Sequence, residues 1–196
     1  MTFVIATNNA KKLIEFRRVL DRLNIDSISL KEAGVEIEIE ETGTTFEENS
    51  LIKARAVCAI TGMPTVADDS GLEVDCLGGA PGVYSARYGG EGLDDKGRYQ
   101  LLLNNLRGST TRAAHFACAV ACAFPNGDEL TAEGRCDGAI AFAPMGEGGF
   151  GYDPVFLVPE MRKTFAQMTA EEKSSISHRG RAMEKFVEKL ETYLTK

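Results

Sequence analysis

Two long strand-forming stretches, about 113–124 and 129–142, flank Pro125-Asn126-Gly127-Asp128, and this pair constrains the fold more than any other feature of the 196-residue chain. A short turn of that composition joins neighbouring strands as a hairpin. Ahead of it, strands and helices alternate. Phe3-Val4-Ile5-Ala6 reads as a strand, and Leu13, Phe16, Leu20 and Leu23 follow at helical spacing. Val35, Ile37 and Ile39 alternate with Glu36, Glu38 and Glu40, which predicts a half-buried strand with an acidic face. Thr44 and Thr45 each stand three residues before a glutamate (Glu47, Glu48), a doubled capping box. The helix it starts runs through Leu51, Ala54 and Cys58 toward Gly62, with Pro64 beyond as a stop. A helix near 94–107, a strand over 154–158 and a closing helix carrying Met183, Phe186, Val187, Leu190 and Leu194 on one face complete the chain. Early alternation with a hairpin inserted in the middle predicts an α/β fold, a mixed sheet flanked by helices, in two lobes.

Composition narrows the functional classes. With 43% hydrophobic and 26% charged residues, the chain has the make-up of an ordinary soluble globular protein. No run approaches the roughly 18 apolar residues of a membrane span, and MTFVIATNN lacks the basic leader of a secretory signal. A net charge of −7 speaks against a nucleic-acid surface, which needs a basic stripe. It leaves room for a small anionic substrate, because a few lysines can dominate one site. The five cysteines are odd in number and form no CxxC pair. Cys118 and Cys122 fall on one face of the predicted strand, roughly 13 Å apart, too far for one metal ion or one disulfide. They read as small buried hydrophobes in a reducing, cytoplasmic compartment.

The chemistry concentrates in VADDSGLEVDCLGGAPGVYSARYGG, residues 66–90. An apolar lead-in, Thr65-Val66-Ala67, runs into two adjacent carboxylates, Asp68 and Asp69, followed at once by Ser70-Gly71. Asp or Ser before an apolar run also caps helices. Apolar residues on both sides favour a site instead, in which carboxylates at the end of a buried strand offer oxygens to a hard cation such as Mg²⁺. Thr7-Asn8-Asn9-Ala10-Lys11-Lys12 lies between the first strand and helix, where exposed N–H groups and the helix dipole favour an anion. Asn49 and Lys53, four apart, share a helix face. Among Glu36, Glu38, Glu40 and Glu41, most form a solvated face, with one available to a metal. In Gly146-Glu147-Gly148-Gly149-Phe150-Gly151-Tyr152-Asp153-Pro154, glycines let backbone approach a flat ligand and the two rings offer a stacking platform. Lys173 and Ser177-His178-Arg179-Gly180 add a further cation and a recognition pair.

TNNAKK, FEENSLIKA, ADDSGLEVDCLGGAPGVYSARY, GGFGYDPVF and EEKSSISHRGRA, in this order and spacing, resemble the inosine triphosphate pyrophosphatase family, of the RdgB/HAM1 type and bacterial length. The resemblance runs from about Ile5 to Ala182, and the motif positions match it throughout; Ser50 stands where alanine is more usual. It implies one domain over 1–196, built as an elongated mixed sheet in two lobes with the active site in the cleft between them, and a homodimer. It implies Mg²⁺-dependent hydrolysis of non-standard purine triphosphates (ITP, dITP, XTP) to monophosphate and pyrophosphate, which keeps deaminated purines out of DNA and RNA. Asp69 is then general base and metal ligand, with Glu40 as a second ligand and Asp68 orienting water beside it. Thr7, Asn8, Asn9, Ala10, Lys11, Lys12, Lys53, Ser70 and Lys173 serve the substrate, its phosphates above all. Phe150, Gly151, Tyr152, Asp153, His178 and Arg179 serve the base, with Phe150 or Tyr152 stacking on the ring and Arg179 donating toward the C6 oxygen.

Overall fold

The computed structural model describes residues 1–195. Within these residues seven strands, β1 (Thr2–Ile5), β2 (Asp26–Ser29), β3 (Thr65–Val74), β4 (Ala113–Ala123), β5 (Glu129–Ile140), β6 (Phe156–Val158) and β7 (Lys163–Thr164), form one sheet in the order β2-β1-β3-β4-β5-β6-β7. β2 and β3 both run parallel to β1, whereas β6 is antiparallel to β5 and to β7, so the sheet is mixed. Five α-helices among the described residues accompany it: α1 (Ala10–Arg22), α2 (Phe46–Thr61), α3 (Asp95–Asn105), α4 (Ala170–Ile176) and α5 (His178–Leu194). Among the described residues, no helix is long and apolar enough to cross a membrane.

The chain divides into two compact units, one of 1–69, 118–134 and 181–196, the other of 70–117 and 135–180. In the first, the period-two alternation of β1 decides which helices cover which face. Phe3 and Ile5 pack with Val66, with Phe16 and Leu20 of α1 and with Met183, Phe186 and Leu190 of α5. Val4, between them, turns to the other face and meets Ala67 and Ala54, Val57 and Cys58 of α2. In the second unit, Leu72 and Val74 pack with Leu102 and Leu106, with Phe116 and Ile140, and with Tyr152, Phe156 and Phe165. The hairpin forms where the sequence places it, with Phe124 N donating to Asp128 O at 2.9 Å. All five cysteines are thiols outside any disulfide; Cys118 and Cys122 are buried as expected, and Cys76 is exposed.

Capping sets the helix that matters most for the site. Thr45 is the N-cap of α2, and its hydroxyl and the Glu48 carboxylate close a capping box. Thr44 does not form a second box with Glu47; its amide and hydroxyl both donate to Glu48, at 2.6 and 2.9 Å. α2 ends at Gly62, whose φ of 66° is the left-handed conformation that glycine adopts without strain.

One expected element does not form. Residues 35–40 carry the alternation of a strand yet lie outside the sheet, which ends on that side at β2. Val35 is buried and Ile39 packs partly against the core under α2, while Ile37 is 40% exposed. Alternation supplies the side chains for a half-buried strand, but the ladder needs a partner, and none is recruited here. Conversely, β2, β7 and α4 are too short or too polar to stand out by periodicity.

Candidate active site

The strongest array lies in the first unit, at Asp68 and Asp69 of β3. Successive side chains of a strand point to opposite faces, so adjacency in sequence separates the two carboxylates. Asp68, 2% exposed, meets Lys12 of α1 with Nζ to Oδ2 at 2.9 Å. Asp69, 8% exposed, turns to α2, where Asn49 Nδ2 donates to its Oδ2 at 3.1 Å and Lys53 Nζ lies 3.8 Å from Oδ1. Both stand mid-strand, since β3 runs from Thr65 to Val74, which corrects the expectation of a strand end; each is answered by a lysine from a different helix. Burial pushes the Asp69 carboxyl above its ordinary range, and the Lys53 charge, the Asn49 hydrogen bond and Lys12 only partly offset this, with Glu41 adding to the rise.

Asn49 is the connector. It is fully buried, and its Oδ1 accepts from Gly43 N at 2.8 Å while its amide holds Asp69. Gly43 packs so closely that a Cβ there would lie 2.6 Å from Asn49 Oδ1 and 2.7 Å from Glu48 Cβ. Lys53 also pairs with Glu41 at 2.6 Å. Of the acidic stretch, Glu41 is thus the residue beside Lys53, and Glu40 is exposed. The spacing of Asn49 and Lys53 already pointed to a shared face; Glu41 carried no signal that set it apart from its neighbours.

The 7–12 segment is split between structure and charge. Asn9 Oδ1 caps α1 by accepting from Lys11 N and Lys12 N at 2.9 and 3.3 Å, and Thr7 Oγ1 accepts from Asn9 N at 3.2 Å. Both side chains are engaged in the turn. Asn8, Ala10 and Lys11 are exposed, and Lys12 is half-buried.

A second array lies in the other unit. Asp153, 3% exposed, accepts from Phe150 N at 2.9 Å and from Lys173 Nζ at 2.6 Å. Lys173 Nζ stands 4.9 Å from the centre of the Phe150 ring and 5.2 Å from that of Phe165, cation–π distances. Gly149 has φ +76°, and a Cβ there would lie 2.0 Å from Asp153 Oδ2, so only glycine fits. Gly151 N donates to Asp95 Oδ2 of α3 at 2.7 Å. Tyr152 belongs to the core, 5% exposed, with its hydroxyl donating to Ser85 O at 2.8 Å. Its ring is occupied, which leaves Phe150 as the loop's half-exposed aromatic. His178 is buried and stacks on Phe116, centroids 4.7 Å apart at 12°. Arg179 is buried too and donates to Ser70 Oγ at 3.0 Å.

The sequence profile of the Ham1 family matches residues 3–189. The chain belongs to the Ham1 family. It is 47% identical to the dITP/XTP pyrophosphatase of Clostridium perfringens (strain 13 / Type A), over 98% of each chain. It is 48% identical to the protein of the same name from Bacillus subtilis (strain 168), over 96% of each. Among solved structures, the Staphylococcus aureus Ham1 protein superposes with a TM-score of 0.93 at 40% identity, covering 98% of this chain and 100% of that one. The mixed sheet flanked by helices is the Ham1 fold, with the family motifs on its strands, caps and glycine loop.

Proposed function

We propose that this Ham1-family hydrolase cleaves dITP, ITP and XTP between the α- and β-phosphates, giving monophosphate and pyrophosphate with Mg²⁺, and so clears deaminated purines from the nucleotide pool. The observation that carries the reading is Asp69: a buried carboxylate with a raised proton affinity, held by Asn49 and faced by Lys53. A carboxyl shifted upward is better suited to take a proton from attacking water than an ordinary aspartate, and Asp69 is assigned that role. Lys12 and Lys53, with Lys11, bring positive charge to the phosphates. Asp68 fixes the Lys12 ammonium through their contact of 2.9 Å.

Phe150 stacks on the purine, and Asp153 and Lys173 hold its ring and loop in place. Arg179, fixed by Ser70, donates toward the C6 oxygen of hypoxanthine or xanthine, where adenine has an amine donor. Mispaired buried polar groups discriminate by on the order of 10⁴. His178, stacked on Phe116, serves the base beside Arg179.

The residues present fit Mg²⁺. Asp69 and Glu41 offer hard oxygens, and burial makes the ionised Asp69 costly in a way a cation relieves. Among the described residues no three His, Cys, Asp or Glu side chains are grouped to enclose an ion. Mg²⁺ shared with substrate phosphates needs only one or two carboxylates and water. Asp69 with Glu41 or Glu40 would hold it, and when bound it supplies Lewis-acid stabilisation of phosphate charge. A homodimer in the cytoplasm completes the reading; the five thiols suit a reducing compartment.

A pyrophosphate-release screen over ITP, dITP, XTP and the four common NTPs, with Mg²⁺ and with EDTA, tests the assignment. Pyrophosphate from the first three, little from ATP and loss with EDTA are expected. Release of inorganic phosphate, or equal rates on ATP, would show the reading to be wrong.

A further inference from the structure

The glycine loop 146–151 contains three glycines at positive φ: Gly146 at 84°, Gly149 at 76° and Gly151 at 59°. Such a segment has little conformational preference of its own and takes its shape from outside anchors. Gly148 N is tied to Ala166 O at 3.1 Å and Phe150 N to Asp153 at 2.9 Å. The amide of Gly151, immediately after the ring of Phe150, is tied to Asp95 at the start of α3, 56 residues away in sequence, at 2.7 Å. Packing does not fill this junction. A cavity of about 580 Å³, lined by Asp94, Arg98 and Tyr99 of the α3 segment and by Glu147, Phe150 and Pro154, lies at the loop.

Asp95 is not needed to cap its helix. That is done by Asp94, whose Oδ1 accepts from Gly97 N at 2.7 Å. An acidic residue in a first turn gains a little from the helix dipole, and that is the competing account. The dipole, however, is indifferent to where the carboxylate points, whereas here it points at one backbone amide of the loop.

We propose that Asp95 is a positioning residue for base selection: its carboxylate holds Gly151 and thereby sets the angle at which Phe150 meets the purine. The inference rests on the nucleotide reading above. Asp95 touches no reacting atom, so its loss leaves the phosphate chemistry intact and loosens the grip on the base.

The test is steady-state kinetics of the full chain on ITP, XTP and ATP with Mg²⁺, for the parent, Asp95→Ala, Asp95→Asn and Asp94→Ala. Asp95→Ala is expected to cut the ITP-over-ATP preference in kcat/KM about tenfold, the order carried by one charge-assisted hydrogen bond. The loss should appear as a higher KM for ITP and XTP with ATP little changed. Asp95→Asn keeps an acceptor for Gly151 N and should stay within about threefold of the parent. Asp94→Ala should lower the melting temperature while leaving the preference intact, because it removes the cap and spares the loop contact. An unchanged preference in Asp95→Ala overturns the proposal. So does an equal loss in Asp94→Ala, which would assign the effect to the helix, or an equal loss in Asp95→Asn, which would assign it to charge. A parent that released no pyrophosphate from ITP would remove the nucleotide reading and this inference with it. A purine-selective parent whose selectivity survives Asp95→Ala removes the inference alone.

Discussion

Replacing Asn49 with alanine tests the connector between the start of α2 and the carboxylate of β3. Asn49 is fully buried and makes two hydrogen bonds, from Gly43 N at 2.8 Å and to Asp69 Oδ2 at 3.1 Å. A neutral hydrogen bond contributes about 1 kcal/mol net and one to a charged group about 1.5–3, so their joint loss should cost about 2.5–4 kcal/mol. For a chain of 150–250 residues, each kcal/mol moves the melting temperature by about 2–4 °C, which gives a drop of about 5–16 °C. Function should suffer separately. Burial already disfavours the ionised Asp69, and losing the Asn49 donor removes one of the contacts that restrain that shift. If Asp69 holds Mg²⁺, removing this outer partner should raise the half-saturating Mg²⁺ concentration about 10–100-fold. Asn49→Asp sharpens the test, since it keeps an acceptor for Gly43 but sets a second carboxylate against Asp69; at neutral pH its turnover should fall below that of the alanine variant. Calorimetric melting and pyrophosphate release across a Mg²⁺ titration are the measurements. A variant melting within about 1 °C of the parent, with the same Mg²⁺ dependence, would refute the argument.

Asp69→Asn should lose about 10²–10⁴ in rate while remaining folded, which circular dichroism and the pyrophosphate assay check together. Because the folded pKa of Asp69 is raised, the stability tied to its protonated form is present below the ordinary aspartate pKa and lost as pH rises through the folded value. Without Mg²⁺, the gap in melting temperature between parent and Asp69→Asn should therefore move against the parent as pH increases from acid to neutral. Arg179→Ala should narrow the gap between ITP and ATP mainly by weakening ITP, whereas Lys53→Ala should slow every triphosphate by a similar factor; steady-state kinetics in which Arg179→Ala slowed ITP, XTP and ATP equally would make Arg179 a phosphate ligand. Gly149→Ala would force a Cβ to within 2.0 Å of Asp153 Oδ2 and should break the loop, raising KM for ITP at least tenfold in the same assay.

Much of this protein is written in short stretches of its sequence, because the forces involved act over a few residues. The Thr45–Glu48 box, the stop at Gly62, the Asn9 cap and the 125–128 hairpin turn are each closed by groups no more than about a turn apart. The apolar lead-in to Asp68 and Asp69 likewise marked a strand carrying buried carboxylates, although β3 runs on to Val74 and places them mid-strand. Tertiary structure decided the rest. Residues 35–40 have a strand's alternation and no strand, since pairing depends on a neighbour that local sequence does not supply. Tyr152 and Phe150 look equivalent in GGFGYDPVF, yet a core and the carbonyl of Ser85 claim the first and leave the second half-exposed. Asp68 and Asp69 are neighbours along the chain, but the pleat sends one to Lys12 and the other to Asn49 and Lys53. The partners of each carboxylate, and so the chemistry available to it, are groups 16 to 56 residues distant in sequence that only folding brings within about 4 Å.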